Sequence, residues 1–572
     1  MRTSMLITFS LIVLQWASAS AAQTFAWNRV YGSATFDQAI DVATDADDNA
    51  YVVGYFNATI DFDPGPGEVT RTSNGSNDIF VQKLDADGNL IWVQTFGGTS
   101  GDQAFSVDVD STGNVYVGGS FRNSVGFGSG LSATTLTSEG SEDAYVLKLD
   151  SAGGFVWARG WGSPNGDIAY GVAVSPAGDV AAAGWFSETM DLDPGAPVDE
   201  RTSAGGTDMW VVRLDADGNY TWGHAFGNTD TDVARDVAMD EDGNVIVAGD
   251  FRGEIDFDPG AGEDTRTAAG NSDLFIQKLT PAGTLDWVAT LGAASFEIAF
   301  GVTADALGNI YATGRFTTTV DFDPAEAVSS LTAVSSDSFI LKLAGDGTYN
   351  WARRIGGNSN EQGHSIAVDA LGNVYTSGIF RATTNFDPGV SDFTITSAGN
   401  DDAYQHALDS SGNFLWATRV GGTDVDYGYG VAVDSASSVI ATGYFQGTAD
   451  LDPTVNTASA ESEGFMDGFA VKLTQDIVVV EGEGEEPLEI CGDNIDNDEN
   501  GFTDCDDFAC STSEFCTGET SCGDGIDNDE NGFTDCDDFA CSSSEFCTGE
   551  TSCGDSIDND ENGFTDCDDF AC

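Results

Sequence analysis

Oxygen ligands recur three times near the end of this chain at the spacing that a calcium ion needs. Asp496, Asp498, Asn500, the main-chain carbonyl of Phe502, Asp504 and Asp507 fall at positions 1, 3, 5, 7, 9 and 12 of a loop, and Gly501 falls at position 6, where such a loop must turn sharply. The set returns at Asp527, Asp529, Asn531, Phe533, Asp535 and Asp538, and again at Asp558, Asp560, Asn562, Phe564, Asp566 and Asp569. Calcium is a hard ion taking about six to eight oxygens, and a loop this rich in carboxylates repels itself without one. Calcium is therefore the expected cofactor. The bland alternative is an acidic linker with loose ion binding.

Two more carboxylate sets lie upstream. An acid precedes each of seven similar segments: Asp37, Asp102, Asp167, Asp232, Glu297, Glu361 and Asp426. Seven like charges in a ring repel unless a cation or hydrogen bonds compensate. One reading is that each accepts main-chain N–H groups of its own turn or the next segment. The other is a cation or polar-ligand site at the rim of a channel. The second set is a loop of the form Asp61-Phe-Asp-Pro-Gly65, repeated from Asp191, Asp256, Asp321, Asn385 and Asp450; Gly126-Phe-Gly-Ser129 departs from it. Asp-Pro with Gly is turn chemistry, and the central Phe or Leu is expected to tuck beneath the loop.

Catalytic motifs are missing. There is no Gly-x-Ser-x-Gly elbow, no His-Glu-x-x-His and no phosphate-cradling loop, and the only histidines are His224, His364 and His406. Carboxylate pairs leave a glycosidase-like reading open, but among 95 acidic residues such pairs arise by chance. A non-catalytic role is expected.

The elements that position these groups are set by a ruler of tryptophans. Trp27, Trp92, Trp157, Trp222, Trp287, Trp351 and Trp416 stand 65 residues apart, with one interval of 64. A fixed period means one supersecondary unit copied along the chain. In one copy, Asp102–Asp110 alternates apolar and polar as a half-buried strand does, and Ser111-Thr-Gly-Asn114 is a tight turn. Val115–Phe121 returns, a longer loop follows, and Asp143–Asp150 and Phe155–Trp157 make a second hairpin. Four antiparallel strands per copy predict an all-β, seven-bladed β-propeller spanning residues 23–475. Phe56, Phe121, Phe186, Phe251, Phe316, Phe380 and Phe445 each end a second strand and are expected to pack between blades; exposed in one row, they would instead form a sugar-binding platform. The N-terminal strand, Thr24 to Tyr31, is expected to complete the last blade, with Ile477–Val480 as the rival fourth strand.

The strand pair ending Gly-Asn-Val-Tyr-Val-Gly-Gly-Ser-Phe121, and the Lys-Leu-Asp-x-x-Gly-x-x-x-Trp hairpin at Lys83 to Trp92, resemble the bacterial β-propeller repeat family called SBBP. That resemblance covers about residues 24 to 475; it implies a fold and little defined activity.

The remainder is a tail. Glu481-Gly-Glu-Gly-Glu-Glu-Pro487 lies in an acidic linker, residues 476–490, and all eleven cysteines fall in residues 491–572, where Cys491, Cys522 and Cys553 open three copies at a period of 31. The ligand spacing there is that of an EF-hand loop without amphipathic flanking helices, and it resembles dockerin loops and, with its interleaved cysteines, thrombospondin type 3 repeats. These families imply calcium-organised extracellular modules. In an exported chain the cysteines should form disulfides, pairing most simply within each copy, and the odd eleventh is left to a free thiol, another chain or a longer reading frame.

Residues 1–22 read as a secretion signal, with Arg2, an apolar Met5–Leu14 and a small-residue stretch to Ala22. No later run is apolar enough to span a membrane. The net charge of −75 disfavours nucleic acid and anionic membranes and favours cations and solubility. The expectation is a secreted or cell-surface binding protein with a monomeric propeller and a carbohydrate, matrix or protein ligand. The alternatives are a surface-display scaffold and a secreted enzyme acting on polysaccharide.

Overall fold

The Asp-Gly-Asn turns show how local chemistry builds the strands. Asp110 Oδ1 accepts the N–H groups of Thr112 and Asn114 at 2.9 and 3.0 Å, Gly113 adopts φ 80°, and Gln103–Val109 is thereby folded back against Val115–Phe121. Asp143–Leu149 and Phe155–Trp161 complete one antiparallel sheet of four strands in chain order. The computed structural model describes residues 22–476, apart from short segments at 64–66, 129–132, 324, 326–327, 390–391 and 455.

The same sheet recurs from Gln38–Thr44, Ile168–Val174 and Val233–Met239 as first strands. From Ile298–Ala304 and Gln362–Val368 two more four-strand units run into one ten-stranded sheet, joined by two-residue ladders such as Gly356–Gly357 with Thr384–Asn385. The last unit starts at Tyr427–Val433, and its outer strand comes from the other end of the chain. Ala22–Tyr31 lies antiparallel to Asp467–Asp476, with Gln23 opposite Gln475 and Tyr31 opposite Gly468. First strands pack on first strands in sequence, and Tyr427–Val433 packs back on Gln38–Thr44. No helix occurs among the described residues, nor any helix long and apolar enough to cross a membrane. Repeated four-stranded antiparallel sheets around a common axis are the arrangement of a β-propeller.

The core lies in the seams between sheets. One cluster joins Tyr51 and Val53 of one sheet to Ala104, Val107 and Phe121 of the next; another joins Trp27 and Ala470 to Val42 and Val52, sealing the ends together. The phenylalanines ending the second strands are buried, and the loop aromatics meet them edge-on: Phe56 with Phe62 at 5.4 Å, Phe251 with Phe257 and Phe316 with Phe322 at 5.3 Å. This disposes of the row of second-strand phenylalanines as a sugar platform.

Candidate functional site

The seven predicted rim acids are all buried, at 0% exposure, and are held by the chain around them. Asp102 accepts the N–H of Gly98 at 2.7 Å and that of Arg122 at 3.0 Å. Asp232 does the same with Asn228 and Arg252, Asp167 with Ser163 and Ser187, and Asp426 with Gly422 and Gln446. Asp37 takes the Asn57 N–H and the Ser33 hydroxyl. Glu297 takes Ala293 and Thr317, and Glu361 takes Gly357 and the Thr384 hydroxyl. Each acid thus ties the entry of its first strand to the exit of its second.

Each also has a companion in the preceding sheet. Asp78, which opens a third strand, lies close enough to Asp102 for their charges to interact, and Asp143 stands in the same relation to Asp167, Asp402 to Asp426 and Asp467 to Asp37. In Asp78, Asp143, Asp208, Asp273, Asp337, Asp402 and Asp467, Oδ1 is buried without a hydrogen-bond partner. Burial first, then the neighbouring carboxylates, pushes these pairs up: to about 6 at Asp78 and about 7 at Asp143, Asp426 and Asp467. At Asp102 burial alone raises the group to about 6. A glycine makes room for each companion; a Cβ on Gly97 would lie 2.1 Å from Asp78 Cγ.

The Asp-Phe-Asp-Pro-Gly loops are likewise self-organised. Asp61 Oδ1 accepts the N–H groups of Asp63 and Val69, and Asp256 Oδ1 those of Asp258 and Asp264. Among the described residues, no group of three or more His, Cys, Asp or Glu is arranged to hold a metal ion. The candidate calcium ligands of the tail, the acidic linker, the rival strand Ile477–Val480 and almost all of the expected signal segment lie outside the described residues.

The open site is elsewhere. Every first strand carries a β-bulge two residues into its ladder: pairing skips from Ala39 to Asp41, Ala104 to Ser106, Ala169 to Gly171, Ala234 to Asp236, Ala299 to Gly301, Gly363 to Ser365 and Gly428 to Val431. A bulge re-aims its extra residue. The skipped residues Ile40, Phe105, Tyr170, Arg235, Phe300, His364 and Tyr429 all line one cavity of about 370 Å³ on the common axis, large enough for a small ligand.

The wall is aromatic and asymmetric. Phe105 lies 5.5 Å from Tyr170, and the His364 ring stands edge-on to Phe300 at 5.4 Å and stacks on Tyr427 at 5.3 Å. Tyr427 in turn stacks on Tyr444 at 5.4 Å. Burial holds His364 down to about 4, so the ring is neutral near pH 7; Nδ1 donates to the Gly428 carbonyl at 2.7 Å. Beside the bulge, Asp41 and Asp236 also border the cavity, but Asp41 accepts the Val107 N–H at 2.9 Å and Asp236 the Val302 N–H at 2.8 Å, each across a seam. These carboxylates cap the neighbouring strand, and burial first, then the charges of Asp41 and Asp108, raises Asp236 to about 7.

The bulge column was not singled out from sequence. Its signal was present: two positions further on, the aligned first strands hold Val42, Val107, Val172, Val237, Val302, Ile366 and Val431, whereas the bulge position ranges from Ile to Arg to His.

Comparison with known proteins agrees with this architecture. Residues 350–378 match the SBBP β-propeller repeat model. An uncharacterized WD repeat-containing protein of Acanthamoeba polyphaga mimivirus is 22% identical over 500 residues, covering 73% of this chain and 36% of that protein. Regulatory protein FlaEY of Caulobacter vibrioides is 26% identical over 242 residues, covering 38% of this chain and 25% of its own. The chain thus spans about a third or less of the length of the curated relatives it matches. The solved structure of U3-55K aligns over 78% of this chain and 98% of its own with a TM-score of 0.40 and 8% identity. The repeat match and the WD-repeat relative, with the repeated four-stranded sheets, identify a β-propeller repeat protein.

Proposed function

We propose that this is an exported, non-catalytic binding protein in which a seven-bladed propeller takes its ligand at the axial cavity. The tail then serves as a calcium- and disulfide-stiffened stalk outside the cell. The observation that carries the reading is the bulge column. Packing fixes most other positions of the repeat, but here side chains are turned out of the sheets and diversified into a mainly aromatic wall interrupted by Ile40 and Arg235. By analogy of fold alone, a β-propeller repeat protein suggests an interaction module, and the occupation of Asp41 and Asp236 by main-chain amides supports recognition over hydrolysis.

The test is a titration of the full chain against extracellular polysaccharides and matrix proteins, with and without Phe105→Ala and Tyr170→Ala together. Saturable binding that the double variant loses, with its melting temperature within a few degrees of the parent, is the expected result. Binding indifferent to the wall would move recognition to another surface, and silence across the panel would favour a display scaffold.

A further inference from the structure

Twenty Lys and Arg face 95 Asp and Glu in this chain, and basic side chains inside the fold find carboxylates readily. Lys83 pairs with Asp45 and Lys278 with Asp240 at 3.0 Å, and Lys472 pairs with Asp434 and Arg213 with Asp179 at 2.8 Å. Arg315 is different. Like Arg252, it has no ion pair and a buried Nε without a hydrogen-bond partner among the described residues, but Arg315 lies beside the axial wall.

Its position makes that meaningful. Arg315 sits on the second strand opposite Ile298, two residues before the bulge residue Phe300. Its guanidinium carbon lies 6.0 Å from the Phe300 ring centre, and that of Arg235, in the preceding sheet, lies 5.3 Å from the same ring. Two cations therefore lie against one aromatic ring of the cavity wall, Arg235 itself bordering the cavity and Arg315 set back from it. Asp250 bonds only one of them, although its charge reaches both: its Oδ1 accepts from Arg235 Nε at 2.6 Å, and its Oδ2 takes the Ser272 hydroxyl. Glu297 is committed to main-chain amides, and His364 is neutral. Burial, then repulsion from Arg235, lowers the proton affinity of Arg315, against a smaller opposing effect of Asp250 and Tyr427. Two guanidiniums and the single carboxylate of Asp250 thus leave a positive charge beside Phe300, a residue of the cavity wall, while Asp41 and Asp236, which also border the cavity, are engaged by main-chain amides.

We propose that Arg315, supported by Arg235, receives the carboxylate of a ring-bearing ligand whose ring lies in the axial cavity against Phe300 and the aromatic wall. The planar guanidinium fork matches a carboxylate in two parallel hydrogen bonds, and stacking on Phe300 fixes its orientation in advance. This rests on the axial cavity being the ligand site. An acidic sugar and an aromatic acid share the required chemistry.

The test is calorimetric titration of the full chain with D-glucuronate, D-glucose and benzoate. Glucuronate or benzoate should bind at least about tenfold more tightly than glucose, Arg315→Gln should erase that difference, and Arg315→Lys should restore part of it. The better of the two acids identifies the ring. The methyl ester of glucuronate deletes the charge from the ligand instead of the protein, and should fall to the glucose level without any variant. Glucose binding as tightly as both acids overturns the anion inference and leaves the cavity reading standing. Acid binding that ignores both Arg315→Gln and Phe105→Ala overturns both.

Discussion

The Trp351 indole donates its Nε1–H to the carbonyl of Ser410, 59 residues on, at 3.3 Å. Trp27 makes the equivalent bond to Ala86, Trp92 to Ser151, Trp157 to Ala216, Trp222 to Pro281 and Trp287 to Gly345. Each acceptor is in the turn between the third and fourth strands of the next sheet. Trp416 has none among the described residues, where its Nε1 is buried without a partner. The sheet it faces takes its fourth strand from the N-terminus, so no such turn exists there. Trp351→Phe should therefore lower stability by about 1 kcal/mol more than Trp416→Phe, the worth of one hydrogen bond. Urea midpoints of the two variants would check this, and equal losses would count against it.

The seam pair Asp78 and Asp102 should respond oppositely to amide substitution. Asp102 accepts main-chain N–H groups on both oxygens, so Asp102→Asn sets an NH2 against a buried donor and should cost about 1–3 kcal/mol. Asp78 accepts only on Oδ2, from the Asn74 N–H at 3.0 Å and the Asn74 side-chain amide at 3.4 Å. Asp78→Asn keeps that acceptor, removes a charge from the pair, and should be neutral or stabilising at pH 8. Thermal denaturation of both variants decides it. Gly97→Ala should be worse than either, because its Cβ would collide with the Asp78 carboxyl.

Stability should fall as pH rises from about 4 to about 7. Asp78 and Asp102 are raised to about 6, and Asp143 and Asp426 to about 7, against 3.8 when unfolded. Between those values the folded chain holds more protons than the unfolded one, so raising pH favours unfolding. At Asp45 and Asp305 burial pushes up, but hydrogen bonds led by Asn49 and Asn309 outweigh it, and both are lowered. Their contribution is present above 3.8 and is lost as pH falls below it. The expected optimum is near pH 4, with a melting temperature a few degrees above that at pH 8. A melting temperature rising monotonically to pH 8 would refute this.

Calcium should act on the tail and leave the propeller unmoved. With no metal-binding cluster among the described residues, chelation should not shift the propeller transition. The full chain should take up about three ions at roughly 10⁻⁴ to 10⁻³ M, one for each loop from Asp496, Asp527 and Asp558. Replacing Asp496, Asp527 and Asp558 by Ala should abolish that uptake in calorimetry.

The fold was legible because it repeats. A tryptophan every 65 residues, Gly-Asn turns and alternating strands are each ambiguous once and decisive when copied, and the burial of Phe62, Phe257 and Phe322 under their loops followed from turn chemistry. The cavity wall was hidden for a physical reason. Alternation assigns residues to the two faces of a sheet, and both faces of an inner strand are covered by neighbouring sheets. Phe105 and Phe300 reach the axis only because a bulge interrupts the alternation, and periodicity cannot register a residue that leaves the period. The pairing of Asp78 with Asp102 was hidden because it joins different copies of the repeat.

The pairing of Gln23 with Gln475 also sets a clock on biosynthesis. The first strand to be made is the last to find its neighbour. At about 5–20 residues per second, a ribosome needs roughly 20 to 90 seconds to cover the interval. Through that time Ala22–Tyr31 is an unpaired edge carrying Phe25, Trp27, Val30 and Tyr31. A nascent chain of this protein should therefore depend on a holding factor that covers its N-terminal strand until Asp467–Asp476 arrives.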